Sequence, residues 1–372
     1  MISPRSVLIY VTVFVFLTVL VFGLNPKGYD FSNHVSRLGE SPGIHFGKYG
    51  VAYTELDSKL LRRISSLKGF SILMVFRSER LDNNGSGHIL TIHPGEDKNQ
   101  LVIWQWFSYI IAMNDNDYAH RRKTGRVSAE ILSSPAQRIF LSLTSGKRGT
   151  TLYFDGKAVS SNRTLQLDFP KSGNTTLILG NSAYGNGSWQ GDISGLALYD
   201  RELPPETITS LYNTWSRKHS FSGAVDEKPF LCYLFNGKNG SNIIDRAGSS
   251  SHLKIPSTAT PIKKRILTGF VNYLGLSSIW TQDAVINLTG FIPLGFFLAG
   301  LIARLYRIPR KRALTYTVGF CFALSLVIEL VQAWLPSRTS QSLDLFLNTA
   351  GGLIGAFLSN SRIVKRYFPA RF

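Results

Sequence analysis

Four stretches of this chain are apolar for long enough to cross a bilayer, and between the first and second the pattern alternates instead. Val7–Leu24 carries no charge. As a helix it would reach about 27 Å at ~1.5 Å per residue, close to the thickness of a hydrocarbon layer. Val285–Ala303, Ala313–Leu335 and Leu343–Leu358 predict three more spanning helices. The second of the four contains Pro293, which membrane helices tolerate. The last is short, with Gly351 and Gly355 spaced for close helix contact. In the middle of the chain, apolar and polar positions alternate in short runs: Ser71–Arg77, His88–Ile92, Leu101–Phe107, Arg138–Leu143, Thr151–Phe154, Thr176–Leu179 and Ile193–Tyr199. Gly, Asn and Asp turns separate them, the signature of an all-β sandwich or barrel. Pro204–Lys218 has a helical pattern with Pro at its start. Pro261–Gln282 is basic at Lys263, Lys264 and Arg265, then apolar, with Tyr273 and Trp280 suited to a membrane interface, so an interfacial helix is expected there.

Composition sharpens this division. Of 372 residues, 44% are hydrophobic and 17% charged, an average of two unlike regimes. The expected organisation is a first transmembrane helix (1–24), a β-sandwich ectodomain (25–260), the interfacial helix (261–282), a three-helix membrane region (283–360) and a basic tail (361–372). The net charge is +18. Its distribution sets a topology: Arg304, Arg307, Arg310, Lys311 and Arg312 lie between the second and third spans, and Arg362, Lys365, Arg366 and Arg371 lie in the tail. The positive-inside rule puts both in the cytoplasm, with both termini, and puts the β domain outside. Phe22-Gly23-Leu24-Asn25-Pro26 is a poor cleavage site, so the first helix is expected to be retained. A basic ectodomain suits anionic lipid or glycan, or is merely a soluble basic surface. The two cysteines, Cys232 and Cys321, form no disulfide framework and no CxxC metal site. No metal, cofactor or nucleic-acid partner is expected.

The membrane segments carry the candidate site. Glu329 and Gln332 are three apart on one helix, Asp344 and Asn348 four apart on the next, and Asp283 and Asn287 four apart at the head of another, so each pair shares a helix face. With Arg338 in the loop between, all lie toward the outer leaflet. Ionisable groups in a bilayer are costly and usually face a bundle interior or a wet cavity. In the β region, Trp104 and Trp106 flank Gln105 and face one side of a strand, either a sugar-stacking platform or core. Asn114–Asp117 offers hard oxygens for calcium but reads better as a solvated turn. No strand supplies the carboxylate pair that glycosidase chemistry needs.

Two resemblances follow from ordered sets of residues. Leu152–Gly156, Leu177–Gly180, Trp189–Ile193 and Leu198–Leu203 followed by a helix resemble the closing half of a laminin-G or concanavalin A-like lectin/glucanase jelly roll. Gly43–Gly47 and Phe70–Phe76 resemble its opening strands. Phe230–Pro256 resembles the stretch that usually opens such a domain. Placed last here, it is either a strand returning to complete the same sandwich or a fragment of a repeat. Asp283, Asn287, Phe291, Pro293 and Gly295, then Glu329, Gln332, Pro336, Arg338, Asp344, Asn348, Gly352 and Gly355, resemble the VanZ family of small four-helix membrane proteins. The implied architecture is a four-helix transmembrane bundle with an extracytoplasmic all-β jelly-roll sandwich inserted after helix one, in a bacterial inner membrane. Three readings stand. The cluster binds an anionic lipid headgroup, such as a polyprenyl-linked cell-wall precursor. Or it only laces together an anchor for a carbohydrate-binding domain. Or it is an intramembrane lipid-modifying enzyme, for which no nucleophile is poised and the catalytic residues are unknown.

Overall fold

The computed structural model describes residues 3–25, 31–39, 41–66, 68–82, 85–95, 99–114, 125–131, 137–237, 240–269, 278–335 and 338–361. The chain divides into two compact units, Met1–Tyr29 with Lys264–Phe372, and Asp30–Lys263.

The first unit is helical. Helix α1 (Pro4–Leu24) begins with Ser3, whose hydroxyl accepts the Ser6 N–H at 3.1 Å, and with Pro in its first turn. Three further long helices of this unit follow the β region, at Ser278–Leu305, Arg310–Gln332 and Ser342–Ser359. All four are long and apolar enough to cross a membrane. Their polarity is inverted relative to a water-soluble bundle. Phe14, Phe22, Ile286, Tyr316, Phe346 and Phe357 face outward, while Thr317, Ser325, Glu329, Gln332 and Asn348 are buried. The Ser278–Leu305 and Ser342–Ser359 helices meet backbone to backbone. A Cβ at Gly351 would strike the Leu288 carbonyl, one at Gly355 the Ile292 carbonyl, and one at Gly295 the Gly352 carbonyl. Small residues permit this approach where lipid supplies no hydrophobic drive.

The second unit is a two-sheet sandwich. In chain order its strands are β1 (Val35–Arg37), β2 (Ile44–Phe46), β3 (Ala52–Glu55), β4 (Phe70–Ser78), β5 (Gly87–His93), β6 (Leu101–Trp106), β7 (Tyr109–Asn114), β8 (Arg126–Glu130), β9 (Ile139–Gly146), β10 (Gly149–Phe154), β11 (Lys157–Asn162), β12 (Thr176–Leu179), β13 (Gly191–Tyr199), β14 (Leu231–Tyr233), β15 (Asn242–Ile243) and β16 (Leu253–Lys254). Its helices are α2 (Ser58–Ser65), α3 (Pro205–Lys218) and the short α4 (Gly223–Asp226). The later helices of the first unit are then α5 (Ser278–Leu305), α6 (Arg310–Gln332) and α7 (Ser342–Ser359). One sheet runs β1-β2-β13-β4-β9-β10-β11, with β14 also on β13, and the other runs β15-β16-β3-β12-β5-β6-β7-β8. Ile72, Met74, Phe76, Leu141 and Leu143 of the first sheet pack against Leu90, Ile92, Ile103, Ala112 and Leu177 of the second. The outward face of the first sheet carries α3 over Leu73, Val75, Phe140 and Tyr199. The β10–β11 hairpin turns on Asp155 (φ 50°) and Gly156 (φ 76°), the left-handed pair that a type I′ turn demands.

The C-terminal stretch completes the same sandwich. β14 pairs with β13, and β16 with β3 through Lys254 and Tyr53. Between them, buried Asp245 accepts the N–H groups of Cys232, Ala247 and Ser249 at 2.7, 2.9 and 2.8 Å and so shapes the turn. Burial, followed by the charge of Asp245, pushes the Cys232 thiol up to about 12. The ends of this unit lie side by side: Ser32 bridges Thr258, and the Asn33 side chain donates to the carbonyls of Val51 and Pro256.

The expected interfacial helix over 261–282 needs correction. Residues 261–269 are not helical, because Leu267 and Thr268 spend their backbone groups on Ser340 and Ser342 instead of on a helical ladder. Residues 270–277 lie outside the described residues, and α5 is already helical at Ser278.

Replacing Gly355 with Leu is expected to force α5 and α7 apart and lower the melting temperature of the detergent-solubilised protein, by the ~1–3 kcal/mol typical of overpacking. Gly319→Leu, where a Cβ meets nothing within 4 Å, is the matched control and should melt as wild type.

Candidate functional site

The polar residues of the helical unit are held at helix ends. Glu329 is 1% exposed near the end of α6, and its Oε2 accepts the Gln341 N–H at 2.7 Å. Gln341 is the N-cap of α7 and makes no side-chain cap of its own. A carboxylate from a neighbouring helix therefore takes one of the orphan donors at the positive end of α7. The Ser340 side chain also bonds Glu329. Arg338 does the converse for α1: its Nη2 donates to the carbonyls of Phe22 and Asn25, both at 3.2 Å, at that helix's negative end. Gln332 joins it there, donating to the Gly23 carbonyl at 2.7 Å.

The remaining members tie helix to helix. Asn348 on α7 donates to Ser325 Oγ on α6 at 3.0 Å, and Asn287 on α5 bonds the Asp344 side chain on α7. Arg338 lies near enough for its charge to act on both Glu329 and Asp344. Asp283 is exposed and enters through its charge on Asp344. Arg338 Nε is buried without a hydrogen-bond partner. Glu329, Arg338, Asp344, Asn287 and Asp283 thus act on one another, whereas Gln332 is spent on the end of α1 and Asn348 on Ser325; Ser325, Ser340 and Gln341 were not among the expected residues. Serine and glutamine in a membrane loop carry little signal until the group they serve is known.

Trp104 and Trp106 lie in the other unit, on the outward face of β6. Trp104 is half-buried with its ring 6.3 Å from His88, and Trp106 is 47% exposed. Across the hairpin, Trp106 faces Tyr109, itself exposed, and the Phe107 ring lies 5.0 Å from that of Trp106, tilted by 53°. Phe107 has φ 53°, a left-handed backbone that a bulky residue rarely adopts. Gln105 pins that turn from beneath. Fully buried, it donates to the carbonyls of Arg80 at 2.6 Å and Phe107 at 2.8 Å, and accepts from Ser78 Oγ at 2.7 Å and Trp189 Nε1 at 2.6 Å. All four hydrogen-bonding positions of the amide are filled. Glu130 rims the patch, accepting from Ser108 at 2.9 Å. Phe107, Tyr109 and Glu130 were not among the expected residues. A polar Gln at an inward strand position was the available signal that something there required holding.

Asn114, first of the expected calcium-type turn, bonds Asp168 through both backbone groups of that residue. Residues 115–117 lie outside the described residues. Among the described residues no group of His, Cys, Asp and Glu is placed to hold a metal.

Comparison with known proteins divides the chain along similar lines. Residues 64–209 match the concanavalin A-like lectin/glucanases superfamily, and residues 231–364 match the VanZ/LLP1 family. The second match begins at β14, so its first part lies in the sandwich. Among curated proteins none matches the chain. Among solved structures the chain is similar to the binding domain of botulinum neurotoxin DC in complex with rat synaptotagmin II, with 12% identity and a TM-score of 0.40 over 49% of this chain and 45% of that one. It is also similar to the Ruminococcus gnavus IT-sialidase CBM40 bound to alpha2,3 sialyllactose, with 10% identity and a TM-score of 0.36 over 49% of this chain and 99% of that one. The chain spans under half the length of the first of these. It carries a concanavalin A-like lectin/glucanase domain and a VanZ-like helical region.

Proposed function

We propose that this protein is a membrane-anchored carbohydrate-binding protein, whose helices hold a lectin-like domain on the extracytoplasmic side of a bacterial inner membrane. The observation that carries the reading is the aromatic edge of exposed Trp106 and Tyr109 and half-buried Phe107, fixed from below by Gln105 in a fold of the lectin superfamily. Rigid aromatic faces stack on the apolar face of a sugar ring, and Ser108 and Glu130 supply the polar rim that bonds its hydroxyls. In the bundle, Glu329, Gln332, Arg338, Asp344, Asn287 and Asn348 already bond protein groups. That occupancy fits an anchor laced together from within.

One observation favours a second reading, an outer-leaflet site for an anionic lipid headgroup, including a polyprenyl-linked one. The Arg338 guanidinium keeps Nε buried and unpaired, and such a fork matches phosphate. The charge pattern of the loops supports the orientation in both readings.

Three outcomes test these proposals. In full-length protein in nanodiscs, Trp106→Ala and Tyr109→Ala should each weaken binding on a glycan array about 3- to 10-fold with melting unchanged; binding equal to wild type in both ends the aromatic assignment. Arg338→Lys, examined by native mass spectrometry for co-purifying anionic lipid, should keep whatever lipid wild type retains if the bundle is an anchor. Selective loss from a variant that melts normally would establish the headgroup site. For orientation, a membrane-impermeant thiol reagent on intact cells should label a cysteine placed at Ser160 and spare one at Arg307, and the opposite labelling refutes the topology.

A further inference from the structure

On the outward face of the first sheet, away from α3, three adjacent strands bring His45 (β2), Asp192 (β13) and Arg77 (β4) side by side in register. The Asp192 side chain is 3% exposed, whereas His45 and Arg77 are 33% and 35% exposed. Both carboxylate oxygens are used. Oδ1 bonds His45 Nδ1 at 2.8 Å, and Oδ2 accepts from Arg77 Nε at 2.7 Å, with Nη2 of the same guanidinium 2.6 Å away in the ion pair. By strand alternation Arg138, just before β9, continues the row, and it donates to Ser41 Oγ at 2.7 Å. Two basic side chains, His45 and Arg77, thus share one buried carboxylate.

Stability alone is a poor reason for such a cluster. A half-exposed ion pair contributes ~0–1 kcal/mol, and burying a carboxylate costs more than surface pairing returns unless its geometry is fixed on every side. What Asp192 does accomplish is orientation. Arg77 turns its Nε–Nη2 edge to Asp192, and the N–H groups of Nη1 remain directed away from it. His45 spends Nδ1 on the carboxylate, which leaves Nε2 as the ring's other hydrogen-bonding position. The row therefore presents a planar cationic fork next to a ring nitrogen that can bond a hydroxyl, on paired strands. Glu79, which alternation puts on the same face with its N–H bonded to the Gln190 carbonyl at 3.1 Å, adds a carboxylate that disfavours a doubly charged ligand.

We infer that His45, Arg77 and the orienting Asp192 form a subsite for an acidic sugar, with Arg77 taking the sugar carboxylate and His45 an adjacent hydroxyl. Arg77 and His45 touch the ligand, and Asp192 positions them. The subsite stands on the opposite sheet from the aromatic edge and does not rest on it.

The test is a glycan array carrying uronate- and sialate-terminated glycans, each beside its carboxyl-esterified counterpart, probed with full-length protein in nanodiscs. Wild type should bind the acids at least tenfold better than the esters. Arg77→Lys keeps a cation for Asp192 but removes the fork; it should melt as wild type and lose that preference. Trp106→Ala should retain it. Failure to bind any acidic glycan, equal binding of acids and esters, or an unchanged preference in Arg77→Lys overturns the subsite. So does loss of the preference in Trp106→Ala, which assigns it to the aromatic hairpin. Displacement of the acidic glycan by millimolar inorganic phosphate overturns the sugar assignment.

Discussion

Inside the helical unit, the constraint on which the arrangement depends is that helix ends buried in an apolar setting must find partners in the protein. Lipid offers none, and an unpaired backbone group there costs several kcal/mol (~4–8 in an alkane-like medium). Glu329 meets this demand at the head of α7, and Arg338 caps the more exposed foot of α1. Each charge lies at the helix pole of opposite sign, so two groups that are expensive in a bilayer become the means of joining three helices. Packing elsewhere is then free to be as close as Gly295, Gly351 and Gly355 allow.

The sandwich solves a related problem with a neutral group. Gln105 lies between the sheets, where an amide with an open valence would be costly, and it is saturated by four partners from three stretches of chain. Its reach explains how Phe107 can hold a left-handed backbone at the exposed tip of β6–β7. Strain of this kind persists only where surroundings over-determine it. Asp192 plays the same part on the other sheet, with a charge instead of an amide.

Much of this was legible in the chain. Alternation located β4, β5, β6, β9, β10, β12 and β13 to within a few residues, because both the two-residue pleat and the Asp155-Gly156 turn are local properties. The four spans were legible for the same reason. That Glu329 and Gln332, and Asp344 and Asn348, share a helix face followed from helical spacing, but their partners did not. Glu329 bonds a backbone N–H twelve residues away, and Arg338 bonds carbonyls more than three hundred residues earlier. The His45–Asp192–Arg77 row was invisible for a similar reason: strand order β2-β13-β4 is set by long-range pairing that no window of sequence contains. The interfacial helix was misjudged because apolar content does not reveal that Leu267 and Thr268 have extended partners at Ser340 and Ser342.

The side-by-side ends of the sandwich have a bearing on how the whole chain is connected. Phe31 and Ala259 are joined by a backbone hydrogen bond, although more than two hundred residues separate them. Once the sandwich has formed, the path from α1 to α5 no longer carries the entropy of that long loop. Closure cost grows with the length of unclosed chain, and the sandwich closes its own ends. The helices are thus spared most of the disadvantage of having a whole domain placed between the first and the rest, and the inserted domain can vary in size without altering the distance that the connection must bridge.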